Sequence, residues 1–401
     1  MKGEWKRVPL WSVAHERRQV IEPTEIGDRV AHYSIPSVDA SGTGQVEYTE
    51  DIRSAKLHLQ GGEVLISKLN PRISRVVQTQ AHGDLPLVSS TEFVGLVAGP
   101  HLDPKFLVYF LQSEGVRQDL GARVQSVTRS HQRVNPSDIT RLTIHLPKLE
   151  EQRRIVAFLD AKLGKLDALV SKKIQLLALL EEKIESRILG HVGASRLVDT
   201  CSGRPVSPIR RMLSKLSRPA TPGSEVVTAF RDGQVIARSI RRAEGYTLSS
   251  STEAQGQYVE VGDIVIHGLD GFAGAIGTAE SAGNCSPVYH VCAPQVGHNN
   301  FFLGRMLRIL AVSGYLGLFA ISTRERAVDF RNWDLFGRIP IPDVPSGEQE
   351  RIGELISSAR PLRDAVESSK SLAEERRRAL ITAAITGQID VSTADGSGIT
   401  D

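Results

Sequence analysis

"LPKLEEQRRIVAFLDAKLGKLDALVSKK" (Leu146–Lys173) opens a long amphipathic helix at mid-chain. Leu159, Leu163, Leu166, Val170, Ile174, Leu177, Leu180, Ile184 and Ile188 follow one another at steps of three or four. That is the narrow apolar seam of a coiled coil, sustained over about four heptads. Glu150 and Glu151 fall in the first turn, where the helix dipole favours negative charge. Pro147 precedes that turn, and Gly190 and Gly193 are expected to end the run. About 40 residues at about 1.5 Å each give a rod on the order of 60 Å.

A weaker copy, "IPDVPSGEQERIGELISSARPLRDAVESSK", runs from Ile341 to Lys370. Ser346 followed by Gln349 reads as a capping box. Ile352, Leu355, Ile356, Leu362, Val366, Ala373, Leu380, Ile381 and Ala384 give its apolar seam. Pro361 conflicts with that seam, since an interior proline removes a hydrogen bond and costs roughly 3 kcal/mol; a kink or short break is expected there.

The repeat is wider than the helices. "GEVLISKLNPR" (Gly62–Arg72) parallels "GDIVIHGLDGF" (Gly262–Phe272), and "SSTEFVGLV" (Ser89–Val97) parallels "CSPVYHVCA" (Cys285–Ala293). "VTRSHQRVNPSDITRLTIHLP" (Val127–Pro147) parallels "STRERAVDFRNWDLFGRIPIP" (Ser322–Pro342), and the starts "VPLWSVAHERR" and "SPIRRMLSKLS" also match. The repeating unit is therefore a mixed domain of about 145 residues followed by a long helix, a tandem duplication rather than a solenoid. Short strand patterns and helical patches alternate inside each domain, which predicts α+β globules on helical stalks. The expected boundaries are 1–145 for the first globule, 146–190 for the first long helix, 191–340 for the second globule, 341–388 for the second helix and 389–401 for a tail.

A chain of 401 residues is too long for one ordinary core, which agrees with two globules. A net charge of +3 does not by itself demand a nucleic-acid partner, so local charge is the better guide. Three cysteines, Cys201, Cys285 and Cys292, argue against a disulfide framework and for a reducing compartment. The N-terminus lacks the apolar stretch of a signal peptide, and no run approaches a membrane span. A cytoplasmic protein is expected.

Motifs for catalysis are missing from the sequence. It contains no GxxxxGK[ST] loop, no GxGxxG fingerprint and no HExxH. Asn70-Pro71 is followed by Arg72 and so is not the Asn/Asp-Pro-Pro-aromatic motif of amino-methyltransferases. Asp160-Ala161-Lys162 resembles half of a nuclease signature but falls on a helix face. Cys285, His290, Cys292 and His298 could be spaced for zinc. Yet "CSPVYHVCA" alternates like a strand, and Cys292 aligns with apolar Leu96, so a buried small hydrophobe is the simpler reading and no metal is expected.

Positive charge gathers in loops instead. Lys68, Asn70, Arg72 and Arg75 follow the strand "EVLI" directly. Arg117, Arg123, Arg129, His131 and Arg133 crowd a second stretch. The matching stretch of the second copy holds Arg324, Arg326, Arg331 and Asn332, beside Glu325, Asp329 and Asp334. Arg, Lys and Asn are the side chains that reach phosphates and base edges. With aromatics at only 5%, a stacking platform for single strands is not expected, and contact of these loops with double-stranded DNA is the expectation.

"LPKLEEQRRIVAFLDAKLGKLDALVSKKIQLLALLEEKIES", its echo "IPIPDVPSGEQERIGELI" and the ending "ITAAITGQIDV" (Ile381–Val391) together resemble the specificity subunit of type I restriction-modification enzymes. "GEVLISKLNPR" and "VSSTEFVGL" look like that family's target-recognition domains. The resemblance implies that each globule reads one half of a split DNA target through the major groove. It implies that the helices pack as an antiparallel coiled-coil spacer that sets the gap. Two methyltransferase subunits would dock on the helices and methylate adenine N6 from S-adenosylmethionine. A motor-nuclease restriction subunit, with ATP and Mg, would cleave. This chain itself would be non-catalytic and bind none of these cofactors.

The residues expected to contact DNA are Lys68, Asn70, Arg72, Arg75, Arg123, Arg129, His131, Arg133, Arg324, Arg326, Arg331 and Asn332. Those expected in the coiled coil and partner docking are Leu159, Leu163, Leu166, Val170, Leu177, Leu180, Ile184, Ile352, Leu355, Leu362 and Val366. Two departures stand out: Pro361 in the second helix, and "GLDGFAGAIG", which lacks the Lys-Asn-Pro-Arg chemistry of the first loop. The alternatives are a coiled-coil scaffold whose globules do not touch DNA, and an enzyme such as a nuclease.

Overall fold

The computed structural model describes residues 5–22, 25–124, 132–192, 205–241, 256–319 and 329–391. The chain divides into two compact units, residues 1–171 with 368–401, and residues 172–367.

In the first unit, strand Lys6–Pro9 pairs antiparallel with Thr143–Leu146, tying the start of the globule to the residues that lead into the long helix. A four-stranded antiparallel sheet follows, in the order Ala14–Arg17, Phe93–Ala98, Val64–Ser67, Val76–Gln78. Its strands alternate with period two, but both faces are apolar. Val64, Ile66, Val94 and Leu96 enter the main core with Phe106, Leu107 and Phe110 of helix Pro104–Gln112. Leu65 and Phe93 face a second core with Tyr33, Leu57 and Leu87 of a five-stranded sheet. Asp103 caps helix Pro104–Gln112, accepting from Lys105 N at 2.9 Å and Phe106 N at 3.1 Å.

The second unit repeats this plan. Val206–Pro208 pairs with Pro340–Pro342. The four-stranded sheet runs Leu213–Lys215, Tyr289–Pro294, Ile264–His267, Ile276–Thr278, which is the same order. Helix Asn300–Val312 covers it, capped by Asn299, which accepts from Phe302 N at 3.0 Å. Two short antiparallel pairs, Val227–Ala229 with Val235–Ala237 and Gln257–Val259 with Gly283–Cys285, replace the five-stranded sheet.

Both long helices contribute to each core. In the first unit, Ile155, Leu159 and Leu163 of helix Leu149–Val192 meet Ile381, Ala384 and Ile385 of helix Ser346–Ile385. In the second unit, Ile184, Ile188 and Val192 meet Ile352, Ile356 and Ala359. The start of one helix therefore lies against the end of the other within each unit, so the pair runs antiparallel there. The ion pair of Arg377 with Asp167 in the first unit and that of His191 with Glu348 at 3.6 Å in the second follow the same sense. This is the expected α+β architecture of duplicated globules with paired long helices.

Three expectations need correction. Of the kink or short break expected at Pro361, the break is absent: helix Ser346–Ile385 is continuous through it. Its apolar contacts on either side, Ile356 and Ala359 before and buried Val366 after, offset the missing hydrogen bond. Gly190 does not end the first helix, which continues to Val192 because Ile188 and Val192 are buried; Gly193 lies outside the described residues. Nor does Gln349 complete a capping box. Pro345 precedes the first turn, and its carbonyl accepts from Glu348 N at 2.9 Å and Gln349 N at 3.1 Å.

The Gln349 side chain does something else. It donates to Val344 O at 2.7 Å, bonds His298 Nδ1 at 3.0 Å and accepts from Asn299 N at 3.1 Å. Gln152 occupies the matching place in the first helix and is fully buried. It donates to His101 O and Pro147 O, each at 2.9 Å, and accepts from Asp103 N at 2.8 Å. In both units this glutamine ties the start of a long helix to the loop that caps the globule's own helix.

Burial along the seam is uneven. Leu159, Leu163, Ile184, Ile188, Ile352 and Val366 are buried. Leu166, Val170, Leu177, Leu180, Leu355 and Leu362 are half-buried, and Ile174 is exposed. No helix among the described residues is long and apolar enough to cross a membrane.

Candidate nucleic-acid interface

The central strand Val64–Ser67 is the third in its sheet, and the loop 68–75 leaves its end. Lys68 N donates to Glu92 O at 2.8 Å, holding the loop to the neighbouring strand's entry. Asn70 has φ of +52°, a left-handed conformation that asparagine tolerates better than most residues. Its N–H donates to Gln132 O at 2.7 Å, and its Oδ1 accepts from Gln132 N at 3.3 Å.

These bonds join two stretches that are far apart in sequence. Leu69 and Arg133 form an antiparallel bridge, and Val134 N donates to Lys68 O at 3.2 Å. The loop with Lys68, Asn70 and Arg72 and the segment with Arg133 are thus one surface at one end of the sheet. The second unit builds the same junction: Phe330 N donates to Gly268 O at 2.8 Å, after the equivalent strand Ile264–His267. In both units an asparagine-capped helix follows, Asn135 before Pro136–Thr140 and Asn332 before Trp333–Phe336.

The candidate side chains differ in how they are held. Lys68 is half-buried and Arg72 exposed, and neither side chain has a hydrogen-bond or ion-pair partner among the described residues. Arg133 is exposed and forked onto Glu92 at 2.9 and 3.1 Å, a pair that holds its guanidinium above the usual arginine range. An exposed pair of this kind contributes about 1 kcal/mol or less. Arg75 is different: it is mostly buried and grips Asp39 through two bonds of 2.6 and 2.9 Å. Arg123 forks onto Asp119 at 2.7 and 2.9 Å, while Arg117 pairs with Glu114. In the second unit Arg331 is engaged by Asp329, and Asn332 spends its side-chain oxygen on Asp334 N and Leu335 N. Arg129, His131, Arg324 and Arg326 lie outside the described residues.

Several residues that shape this surface were not singled out from sequence. Glu63 and Asp263 stand just before the two central strands and are buried. Glu63 accepts from Gln60 N at 2.7 Å and Gly61 N at 2.8 Å and faces Arg17 at 3.6 Å. Asp263 accepts from Glu260 N at 2.7 Å and is paired with Arg218. The signal was present, because "GEVLIS" and "GDIVIH" align an acid at the same place. Ser67 and His267, the last residues of the two strands, also went unremarked.

Cys285 and Cys292 are buried in the second unit. Cys292 pairs in register with Ile264, as Leu96 does with Val64, so it fills an apolar position in the matched sheet. Burial pushes the Cys285 thiol up to about 12 and raises that of Cys292 further.

Residues 32–179 match the family model described as Type I restriction modification DNA specificity domain. No curated protein matches. Among solved structures, a chain from a study of complex assembly and conformational transition of the type I R-M system is similar, with a TM-score of 0.63. It is 17% identical and covers 96% of this chain and 98% of its own. The HsdS subunit of Thermoanaerobacter tengcongensis is 17% identical over 97% of this chain and 98% of its own, with a TM-score of 0.46. The S subunit of the type I system of M. genitalium is 16% identical over 95% and 96%, with a TM-score of 0.48. The family match thus covers residues 32–179, and the similar solved chain with a TM-score of 0.63 shows a shared fold over nearly the whole chain.

Proposed function

We propose that each globule reads one half of a split DNA target with the surface formed by its central-strand loop and the segment bridged to that loop. The observation that carries this reading is the repetition of one junction, Val134 to Lys68 and Phe330 to Gly268, at the same end of matched sheets. In the first globule Lys68 and Arg72 are the readiest phosphate or base contacts, because no side chain among the described residues holds them. Arg133 joins them at small cost by leaving Glu92. Arg75 serves the fold, through Asp39. In the second globule Arg331 and Asn332 sit at the equivalent place in a more acidic setting, and the two halves are read with different chemistry.

The long helices act as the spacer that sets the gap between the halves, and two methyltransferase subunits dock on them. Those partners supply S-adenosylmethionine-dependent adenine methylation, and a restriction subunit supplies ATP- and Mg-dependent cleavage. This chain contributes specificity and no catalysis, and it works in the cytoplasm.

Modification-detecting sequencing of DNA from cells that co-express the chain with its methyltransferase tests the reading. A new methyladenine motif made of two short halves separated by unspecified bases is expected. A continuous motif, or no new modification, overturns it.

A further inference from the structure

The last residue of the central strand caps the loop that follows it in both globules, and it does so with different chemistry. In the first, Ser67 Oγ accepts from Leu69 N at 3.1 Å and lies 3.1 Å from Leu69 O, to which it donates. In the second, His267 Nδ1 accepts from Leu269 N at 3.1 Å and Asp270 N at 3.0 Å. Two N–H groups aimed at one ring nitrogen require that nitrogen to carry its lone pair. The ring proton is therefore on Nε2, 3.6 Å from Asp270 Oδ2. The ring is largely buried and lies against Tyr289 at 4.5 Å between centroids.

The capped loop carries the reading surface. Gly268 O receives Phe330 N, which places Asp329, Arg331 and Asn332. A proton on Nδ1 would turn the acceptor into a donor facing two donors, and both loop bonds would be lost. Charges around the ring act in both directions. Burial and Arg231 favour the neutral ring, Asp270 favours the charged one, and together they hold His267 below the ordinary histidine value. Arg231 is paired with Asp270 at 3.0 Å, and Arg331, next to Gly268, is paired with Asp329. Tyr289 is pushed up to about 12 by burial and stays neutral. Because the folded value is depressed, the capped loop is fully held above about pH 6.5 and is weakened as pH falls below that, through the folded value.

We propose that Ser67 and His267 are positioning residues for the two reading loops, and that histidine at the second makes that loop alone release on acidification. This rests on the loops being the DNA-reading surfaces, so the test has one arm that involves no DNA. Hydrogen exchange of the Leu269 and Asp270 amides is measured in the full chain from pH 5 to 8, after correction for intrinsic rates. Protection is expected to fall about tenfold or more towards pH 5 and to be low at every pH in His267→Ala. His267→Asn, whose amide oxygen can replace Nδ1, is expected to stay protected without the pH dependence. Leu69 protection is expected not to vary with pH and to drop in Ser67→Ala.

Unchanged protection in wild type at pH 5 overturns the release on acidification, and full protection in His267→Ala overturns the cap. In the second arm, motif sequencing with the co-expressed methyltransferase is expected to show His267→Ala relaxing one half of the target. If the exchange results hold but both halves change, the assignment of loops to halves fails while the cap stands.

Discussion

Replacing Gln152 with alanine tests how the first globule is anchored to its long helix. The side chain is fully buried and makes three hydrogen bonds, to His101 O, Pro147 O and Asp103 N. Each contributes about 1 kcal/mol net, and a buried group left without a partner costs about 1–3 kcal/mol more. A loss of about 4–6 kcal/mol is expected. A single unfolding free energy is poorly defined for a chain of two units, so per-residue hydrogen exchange is the better assay. Amides of the sheet Ala14–Ala98 and the Asp103 amide lose protection, while those of 213–294 do not. Gln349→Ala produces the converse pattern. Gln152→Glu adds a sign test: a carboxylate facing two carbonyl oxygens is destabilised, and its folded pKa is raised. Protection in that variant should recover as pH falls through the folded value and be lost as pH rises. A loss below about 1 kcal/mol in Gln152→Ala, or loss spread equally over both units, would refute the anchoring argument.

Three further outcomes are expected. Lys68→Gln with Arg72→Gln should lower DNA affinity and reduce the slope of log affinity against log salt by about 2, measured by titration at several salt concentrations; Arg75→Gln should instead lower thermal stability, because it frees Asp39. Pro361→Ala should raise the opening free energy of helix Ser346–Ile385, read by hydrogen exchange, by up to roughly 3 kcal/mol; a loss of protection there would contradict the reading of Pro361 as a tolerated interior proline. Cys285 and Cys292 should resist alkylation at pH 8 until the second unit unfolds, since burial raises both thiols, and rapid labelling in the folded chain would contradict their placement.

What could be read from sequence was whatever repeats or has a period. The long helices came from leucine and isoleucine steps, and the duplication from "GEVLIS" against "GDIVIH". The two sheets do share one strand order. The five-stranded sheet of the first unit was missed. Its strands are short, both faces of Arg29–Tyr33 are covered, and the described residues of the second copy hold no five-stranded counterpart. Local propensity allows a short break at Pro361, whereas buried residues on either side accompany a continuous helix. Gln349 was read as a cap, since a pattern of spacing cannot show that the side chain turns towards His298.

Within the candidate interface, composition marks the basic stretches but cannot tell a committed arginine from an available one. Arg75 and Arg72 look alike in the string "LNPRISR"; Asp39, which separates their roles, is 36 residues away. Likewise, the joining of Leu69 to Arg133 depends on a fold-level approach that neither stretch announces.

The central claim is that two matched globules each read half a target. Exchanging residues 1–145 for the corresponding globule of a type I specificity subunit, followed by modification-detecting sequencing, tests it most directly. One half of the methylated motif should change while the other half and the gap are kept. A change in both halves, or in neither, would contradict it.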